Sequence, residues 1–386
     1  MKPVAHQPGR RRWLALAATL VVKTAPASAT GLLWDAYLRH FVQPDGRVID
    51  DQHQGRYTTS EGQAYTLFFA LVAQDRERFE TLLQWTDRHL AAGRLGDRLP
   101  GWRWGRRDDN VWTLVDDNAA SDADLWLVQT LLEADRHWNV PRWRELAHAL
   151  LALVRQHEVI NLPGWGPALL PGPHGFVRGD GTVRLNPSYY MLPQLRALAD
   201  EDRSGPWAAL VRGLLAWLQQ IGGPHGLVPD WVLYHPSRGW HHGADAPPVA
   251  SYDAVRVPLW AGLTPADDPL RDNLLRACRG WWQASGPLPE RWLVLDGRGE
   301  GEAPAGFLAA VASASTMLRQ QALPVIPTLE GSALIGHSPH PPRYYDQVLA
   351  LFAQGAQRAQ TQAVGSWRFD RDGRLRLPAI RRPAKR

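Results

Sequence analysis

Apolar residues return at intervals of three and four along most of this chain, while strict alternation of apolar and polar positions is scarce. That rhythm places one buried stripe on a helix and predicts about twelve of them. They fall near residues 31–42, 59–73, 75–91, 119–139, 141–156, 187–200, 203–220, 251–262, 267–285, 304–318, 322–335 and 343–355. Twelve helices make six hairpins. The connections alternate in length, and the longer ones, residues 94–117, 161–186, 222–250 and 297–303, are rich in Gly and Pro. Such alternation fits a closed barrel of helical hairpins whose long loops gather on one rim. No interior linker or strict repeat divides the chain, so one domain is the simpler reading. Trp367 to Leu377 reads as a small β-hairpin turning at Asp372-Gly373, and Arg381 to Arg386 as a solvated basic tail.

Local chemistry sharpens several helix starts. Ser60 and Gln63 have the spacing of a capping box, in which the Ser60 hydroxyl accepts from the third amide and Gln63 reaches back; Glu61 then lies in the first turn. Asp116, Asp117, Asn118 and Ser121 are candidate caps for the helix over 119–139. Its stripe is Leu125, Val128, Leu131 and Leu132, and Asp122 and Asp124 stand at its mouth. Ser251 opens another helix, with Asp253 at its start and Arg256 three residues on, on the same face. Pro258 lies inside that helix and removes a backbone hydrogen bond, which predicts a kink or an early end.

Composition adds a destination. The 386 residues are 45% hydrophobic, ample for a substantial core. The formal charge of +5 owes much to Lys2, Arg10, Arg11, Arg12 and Lys23, in a stretch from Met1 to Ala29 that holds no acid; the remainder is near neutral, which argues against nucleic acid as a partner. Residues 1–29 read as a signal peptide: a basic start, an apolar stretch from Trp13 to Val22, and Ala27-Ser28-Ala29 as the cleavage site. Arg11-Arg12-Trp13-Leu14 faintly resembles a twin-arginine signal, but the general secretory route is the simpler reading. The apolar stretch is too short to span a bilayer comfortably, and no later segment is long and apolar enough, so the mature protein is expected to be soluble, in the periplasm or secreted. Cys278 is the only cysteine and reads as a small buried hydrophobe, leaving stability to packing.

Three acidic positions, Glu61, Asp122 and Asp253, lie far apart in sequence but all at predicted helix mouths, in a chain with 19 Trp and only 8 Phe. Cutting a glycosidic bond with inversion needs one carboxyl to protonate the departing oxygen and another to activate water on the opposite ring face. A closed ring of helices brings such acids to one rim; the alternative for each is an ordinary cap or a solvated surface charge. A helix N-terminus lowers the proton affinity of Glu61, so a proton donor there needs repulsion from Asp122 and desolvation by packed rings to oppose it. Trp102 and Trp104, with Trp112, Trp165, Tyr189, Trp231 and Trp240 behind them, lie in long loops, where such rings are either sugar platforms or core packing. Trp126, Trp138, Trp217, Trp281 and Trp282 fall on helices and read as core. His241-His242 lacks a zinc pattern, Asp108-Asp109 and Asp116-Asp117 lack that of a calcium loop, and residues 297–301 read as a flexible surface loop.

The run Ala120-Ser121-Asp122-Ala123-Asp124, followed at helical spacing by Leu131, Leu132, Ala134 and Trp138, resembles the signature of glycoside hydrolase family 8. Thr59 to Tyr65, Asn186-Pro187-Ser188-Tyr189-Tyr190, Ser251 to Arg256 and Tyr344-Tyr345-Asp346-Gln347 occur in the order expected for that family. Leu127, Val128 and Thr130 depart from its usual residues only by apolar or small swaps. Within the family the chain is similar to the periplasmic endoglucanase of bacterial cellulose-synthesis systems. The resemblance implies an all-α, (α/α)6 barrel of six helical hairpins over residues 30–386 and an inverting endo-β-1,4-glucanase that needs no cofactor and no metal. It further implies Glu61 as general acid, Asp253 as general base and Asp122 holding the distorted sugar, with Tyr189 and Arg256 helping to place the water and the base. A monomer acting on a β-1,4-glucan, with the cellulose synthase complex as a candidate partner, is the expectation. A chitosanase or xylanase on the same scaffold, or a glucan-binding accessory protein without catalysis, are the alternatives.

Overall fold

The computed structural model describes residues 29–51, 55–283, 286–318, 343–361 and 367–377. The expected signal peptide lies outside the described residues as far as Ser28, as do the expected helix over 322–335 and the basic tail. The helices follow one another as α1 (Ala29–Phe41), α2 (Ser60–Val72), α3 (Arg76–Leu90), α4 (Ser121–Trp138), α5 (Pro141–His157), α6 (Leu192–Glu201), α7 (Trp207–Ile221), α8 (Arg256–Leu263), α9 (Arg271–Ala277), α10 (Gly280–Gln283), α11 (Ala305–Leu318) and α12 (Tyr344–Thr361). They form an all-α, (α/α)6 barrel.

Side-chain chemistry sorts these helices into two layers. Helix α2 buries every residue from Gly62 to Leu71, α4 every residue from Ser121 to Asp135, and α8 all eight of its residues. A helix that is apolar all round must be surrounded by protein. By contrast α3 buries only Phe79, Leu82, Trp85, Thr86 and Leu90, and α5 only Trp143, Ala147, Leu150, Leu151 and Val154, the stripes of helices with one face to water. The inner ring runs α2, α4, α6, α8, α11, α12, each touching the next through α12. Side chains close it: Phe352 of α12 lies 4.6 Å from Phe69 of α2, 4.9 Å from Trp126 of α4 and 5.3 Å from Trp260 of α8, centroid to centroid. That aromatic plug fills the barrel axis.

All the inner helices start at the same end. Arg256 at the start of α8 reaches Asp122 at the start of α4 and Ser188 just before α6. Tyr345 of α12 donates to the Tyr252 carbonyl before α8 at 2.8 Å, and the Gly306 amide of α11 donates to Asp346 at 3.2 Å. The long connections arrive at this rim and are not irregular. They pair as β1 (Thr58–Thr59), β2 (Arg103–Arg106) and β3 (Trp112–Asp116); β4 (Val159–Leu162) and β5 (Gly166–Leu169); β6 (Val183–Leu185), β7 (Val232–His235) and β8 (Gly239–His241); and β9 (Val249–Ala250), β10 (Arg291–Leu293) and β11 (Arg298–Glu300). All these pairings are antiparallel. The segment over 297–301, expected as a loose loop, is therefore the turn and strand of a hairpin. The hairpin expected at Asp372-Gly373 is present as β12 (Arg368–Phe369) and β13 (Leu375–Arg376), and Gly373 takes the positive φ of +76° that its turn requires.

Three expected helices are corrected by tertiary contacts. The helix expected from 187 begins only at Leu192, after a 3₁₀ turn over Pro187–Tyr189 capped by Asn186, whose Oδ1 accepts the Ser188 amide at 3.0 Å. The helix expected over 267–285 breaks between α9 and α10, where the Gly280 amide donates to the Gly226 carbonyl; a Cβ there would lie 2.6 Å from the His225 carbonyl oxygen. The helix expected from Ser251 begins at Arg256. Asp230 Oδ1 accepts the amides of Ser251 and Ala254 at 2.8 and 2.7 Å and holds residues 251–255 as turns. Pro258 consequently sits in the first turn of α8, where a missing N–H costs nothing and no kink follows. The capping box is also replaced. Thr59 caps α2 by accepting the Gly62 amide at 3.1 Å, while the buried Gln63 amide group bridges Val48, Gly46 and Thr86.

Removing the plug should be costly. Phe352→Ala is expected to lower unfolding free energy by about 3–5 kcal/mol, because the cage of rings from Tyr65, Phe68, Phe69, Trp126 and Trp260 cannot collapse into the void. Urea unfolding would measure it, and a loss below about 1 kcal/mol would show the axis to be loosely packed.

Candidate active site

The rim gathers the acids that the sequence scatters. Glu61 comes from the first turn of α2, Asp122 from the first turn of α4, and Asp253 from the turn preceding α8. Arg256 ties two of them together. Its Nη1 donates to Asp122 Oδ2 at 3.0 Å and to the Tyr65 hydroxyl at 3.1 Å; its Nη2 donates to Asp253 Oδ1 at 2.7 Å and to Ser188 Oγ at 2.8 Å. Tyr65 in turn donates to Asp122 Oδ2 at 3.2 Å, and the Ala123 amide donates to Asp122 Oδ1 at 2.9 Å. Ser188 is fixed from behind, since its hydroxyl donates to Asn186 Oδ1 and its carbonyl accepts the Trp260 indole N–H. The Tyr189 ring lies 5.3 Å from the Arg256 guanidinium.

Burial and charge set the protonation of this group. Desolvation, and after it repulsion from Asp122, push the Glu61 carboxyl up to about 8, against hydrogen bonding from its own backbone, the pull of Arg256 and a bond from Ser60. Glu61 is thereby a protonated acid at neutral pH, with one oxygen accepting the Trp102 indole N–H at 3.2 Å. Burial also raises Asp122, with Arg256 pulling the other way. The Tyr189 phenol is held well above its ordinary range by burial and then by the charges of Asp122, Glu61 and Asp253, so all three acids bear on one hydroxyl. Burial and like charge thus oppose helix-end stabilisation of the Glu61 carboxylate, the two effects set against it in the sequence reading.

Not every expected site residue joins the group. Trp102 does, through Glu61, but Trp104 packs edge-on to Trp85 of α3 and stacks 5.1 Å from Trp112, with the Arg47 guanidinium over both rings. Trp112 is 45% exposed on β3, Trp231 stacks with Phe176 beside Tyr189, and Trp165 and Trp240 pack on each other away from the acids. Trp126, Trp217, Trp281 and Trp282 are buried, and Trp138 partly so. Asp124 faces elsewhere: its carboxyl meets that of Glu158, both buried, and burial holds both well above the usual carboxylate range. Tyr65 and Ser188 escaped the sequence reading as site residues, although Tyr65 stands one helical turn beyond Glu61, the spacing that shares a face. Cys278 is buried and its thiol donates to the Leu274 carbonyl. Among the described residues no three His, Cys, Asp or Glu side chains group so as to hold a metal ion.

Comparison with known proteins identifies the family. The family described as Glycosyl hydrolases family 8 matches residues 8–359. An endoglucanase of Pseudomonas fluorescens (strain SBW25) is 38% identical over 384 residues, covering 94% of this chain and 95% of the relative. The crystal structure of an endo-1,4-D-glucanase from Vibrio fischeri ES114 superposes with a TM-score of 0.79 at 34% identity, over 89% of this chain and 98% of that one. An endo-β-1,4-glucanase from Acetobacter xylinum does so with a TM-score of 0.70 at 26% identity, over 87% and 100%. With matches of this extent, the chain belongs to glycosyl hydrolase family 8.

Proposed function

We propose that this protein is an inverting endo-β-1,4-glucanase that cuts internal bonds of cellulose outside the cytoplasm, during cellulose synthesis. The observation that carries the reading is the junction of Glu61, Asp122 and Asp253 around Arg256 at the mouths of three inner helices. Its relatives' names support the substrate class.

Hydrolysis follows from these positions. A sugar ring sits over Asp122, whose charge Arg256 and Tyr65 hold in place as positive charge builds on the ring. Glu61 gives its proton to the departing glycosidic oxygen as the C1–O bond breaks. A water molecule placed by Tyr189 attacks C1 from the opposite face and gives its proton to Asp253, which Arg256 orients. The new reducing end is the α-anomer. Glu61 regains a proton from solvent and Asp253 releases one. Trp102 keeps Glu61 aimed while its ring borders the cleft, and Trp104 with Trp112 offers a platform farther along β2 and β3. The biosynthetic setting rests on the resemblance to the endoglucanase of cellulose-synthesis systems, and the basic, then apolar, segment before Thr30 supports export to the periplasm or beyond. No helix among the described residues is long and apolar enough to cross a membrane.

Glu61→Gln should lower turnover on carboxymethylcellulose about 10²–10⁴-fold, while β-cellobiosyl fluoride, whose leaving group needs no proton, should still be cut. Equal loss on both substrates would remove Glu61 as the acid. In the unaltered enzyme kcat/KM should fall as pH rises through about 8, since only the protonated form of Glu61 works and its raised proton affinity keeps that form below this point. A profile flat to about pH 10 would contradict it. Proton NMR of early product should show the α-anomer first, with carboxymethylcellulose preferred to chitosan and xylan; β-anomer first would mean retention, and preference for either other polymer would reassign the substrate. Sequencing the exported protein should find Thr30 at its N-terminus, and an intact residue 1–29 segment in the periplasm would refute cleavage there.

A further inference from the structure

Asp253 stands on a run of turns, a poorer platform than a helix for a group that must meet one water molecule. The turn is held from several sides. The Tyr345 hydroxyl donates to the Tyr252 carbonyl at 2.8 Å, and the Ser251 hydroxyl to the Glu290 carbonyl at 3.1 Å. Asp230 does more than either. One oxygen, Oδ1, accepts the Ser251 amide at 2.8 Å and the Ala254 amide at 2.7 Å, bracketing Asp253 from both sides in sequence. Its own backbone is anchored, because the Asp230 amide donates to the Val249 carbonyl at 2.7 Å. These bonds keep Ser251 to Val255 out of α8 and so set where the Asp253 carboxylate leaves the backbone, three residues before the Arg256 that it pairs with.

We propose that Asp230 is a positioning residue for this reaction, its Oδ1 clamping the turn that presents Asp253 to the attacking water. The inference rests on the reading of Asp253 as the base. Burial, and then the Asp253 charge, push the Asp230 carboxyl up to about 7, and in either protonation state Oδ1 remains an acceptor, so the clamp holds across the working range. Displacement of a reacting group by about 1 Å costs on the order of 10²-fold in rate.

The test uses β-cellobiosyl fluoride and carboxymethylcellulose with Asp230→Ala, Asp230→Glu, Asp230→Asn and Asp253→Ala. Ala deletes the clamp. Glu keeps the charge but moves the oxygens outward, and Asn keeps an acceptor in place without the charge. Ala and Glu should each lose about 10²-fold in kcat with KM within about threefold, and Asn should recover most of that loss. Azide attacks without giving up a proton, so it should restore turnover of the fluoride in Asp230→Ala as in Asp253→Ala, with the α-glycosyl azide as product. Should Ala not fold, Glu and Asn carry the comparison. Full kcat in Ala or Glu, an Asn variant as slow as Glu, or azide rescue of Asp253→Ala but not of a slow Asp230→Ala would overturn the clamp. An Asp253→Ala enzyme with normal turnover would instead overturn the base on which the proposal stands.

Discussion

One buried guanidinium orders the rim. Arg256 is 6% exposed and donates to two carboxylates, a phenol and a serine hydroxyl from four different segments of the chain. Its desolvation is expensive, and only partners of opposite charge in good geometry offset it; leaving such a charge unpaired costs about 3–5 kcal/mol. The same accounting fixes the third acid. With Asp122 and Asp253 already paired to Arg256, a further negative charge on Glu61 is opposed by burial and then by Asp122, which together raise its carboxyl. In the proposed reaction an acid and a base thus arise from like side chains by position alone.

The rim is a polar assembly resting on an apolar one. Tyr65 shows the join: its hydroxyl binds Asp122 and Arg256, and its ring packs 5.3 Å from Phe352 and 6.0 Å from Trp126. Below that level the axis is filled by rings, and the acids lie on the loop side of them. Close-packed interiors transmit strain, and the aromatic plug is therefore the floor on which the angle of each inner helix mouth depends.

The barrel of helical hairpins was legible in the chain because burial leaves a local trace of apolar residues at three- and four-residue intervals. The run from Gly62 to Leu71 is broken by few polar residues, Gln63 and Thr66, whereas Phe79, Leu82 and Leu90 recur on one side only. Glu61, Asp122 and Asp253 were legible through the motifs around them. What the chain did not reveal are features fixed by partners distant in sequence. Gly280 breaks a helix because Gly226 comes to it; Ser251 fails to open one because Asp230 takes its amide. Strands of two to five residues in the long connections leave no useful alternation, since their pairing, not their burial, defines them. Trp102 and Trp104 looked alike in the sequence, two positions apart on one segment. A register shift between Arg103 and Trp104 sends the first to Glu61 and the second to the Trp85 side.

Asp122 and Asp124 make the same point within a single helix. Two residues along an α-helix turn a side chain by about 200°, so neighbours at that spacing face opposite ways. Asp122 faces the axis, where Arg256 keeps its charge useful. Asp124 faces the outer layer, where the Glu158 carboxyl, at the end of α5, is its partner. The two carboxyls are buried side by side between α4 and the end of α5, and burial holds both well above the usual carboxylate range. Two acids at this spacing therefore part by geometry: Asp122 meets Arg256 at the rim, and Asp124 meets Glu158 beside α5.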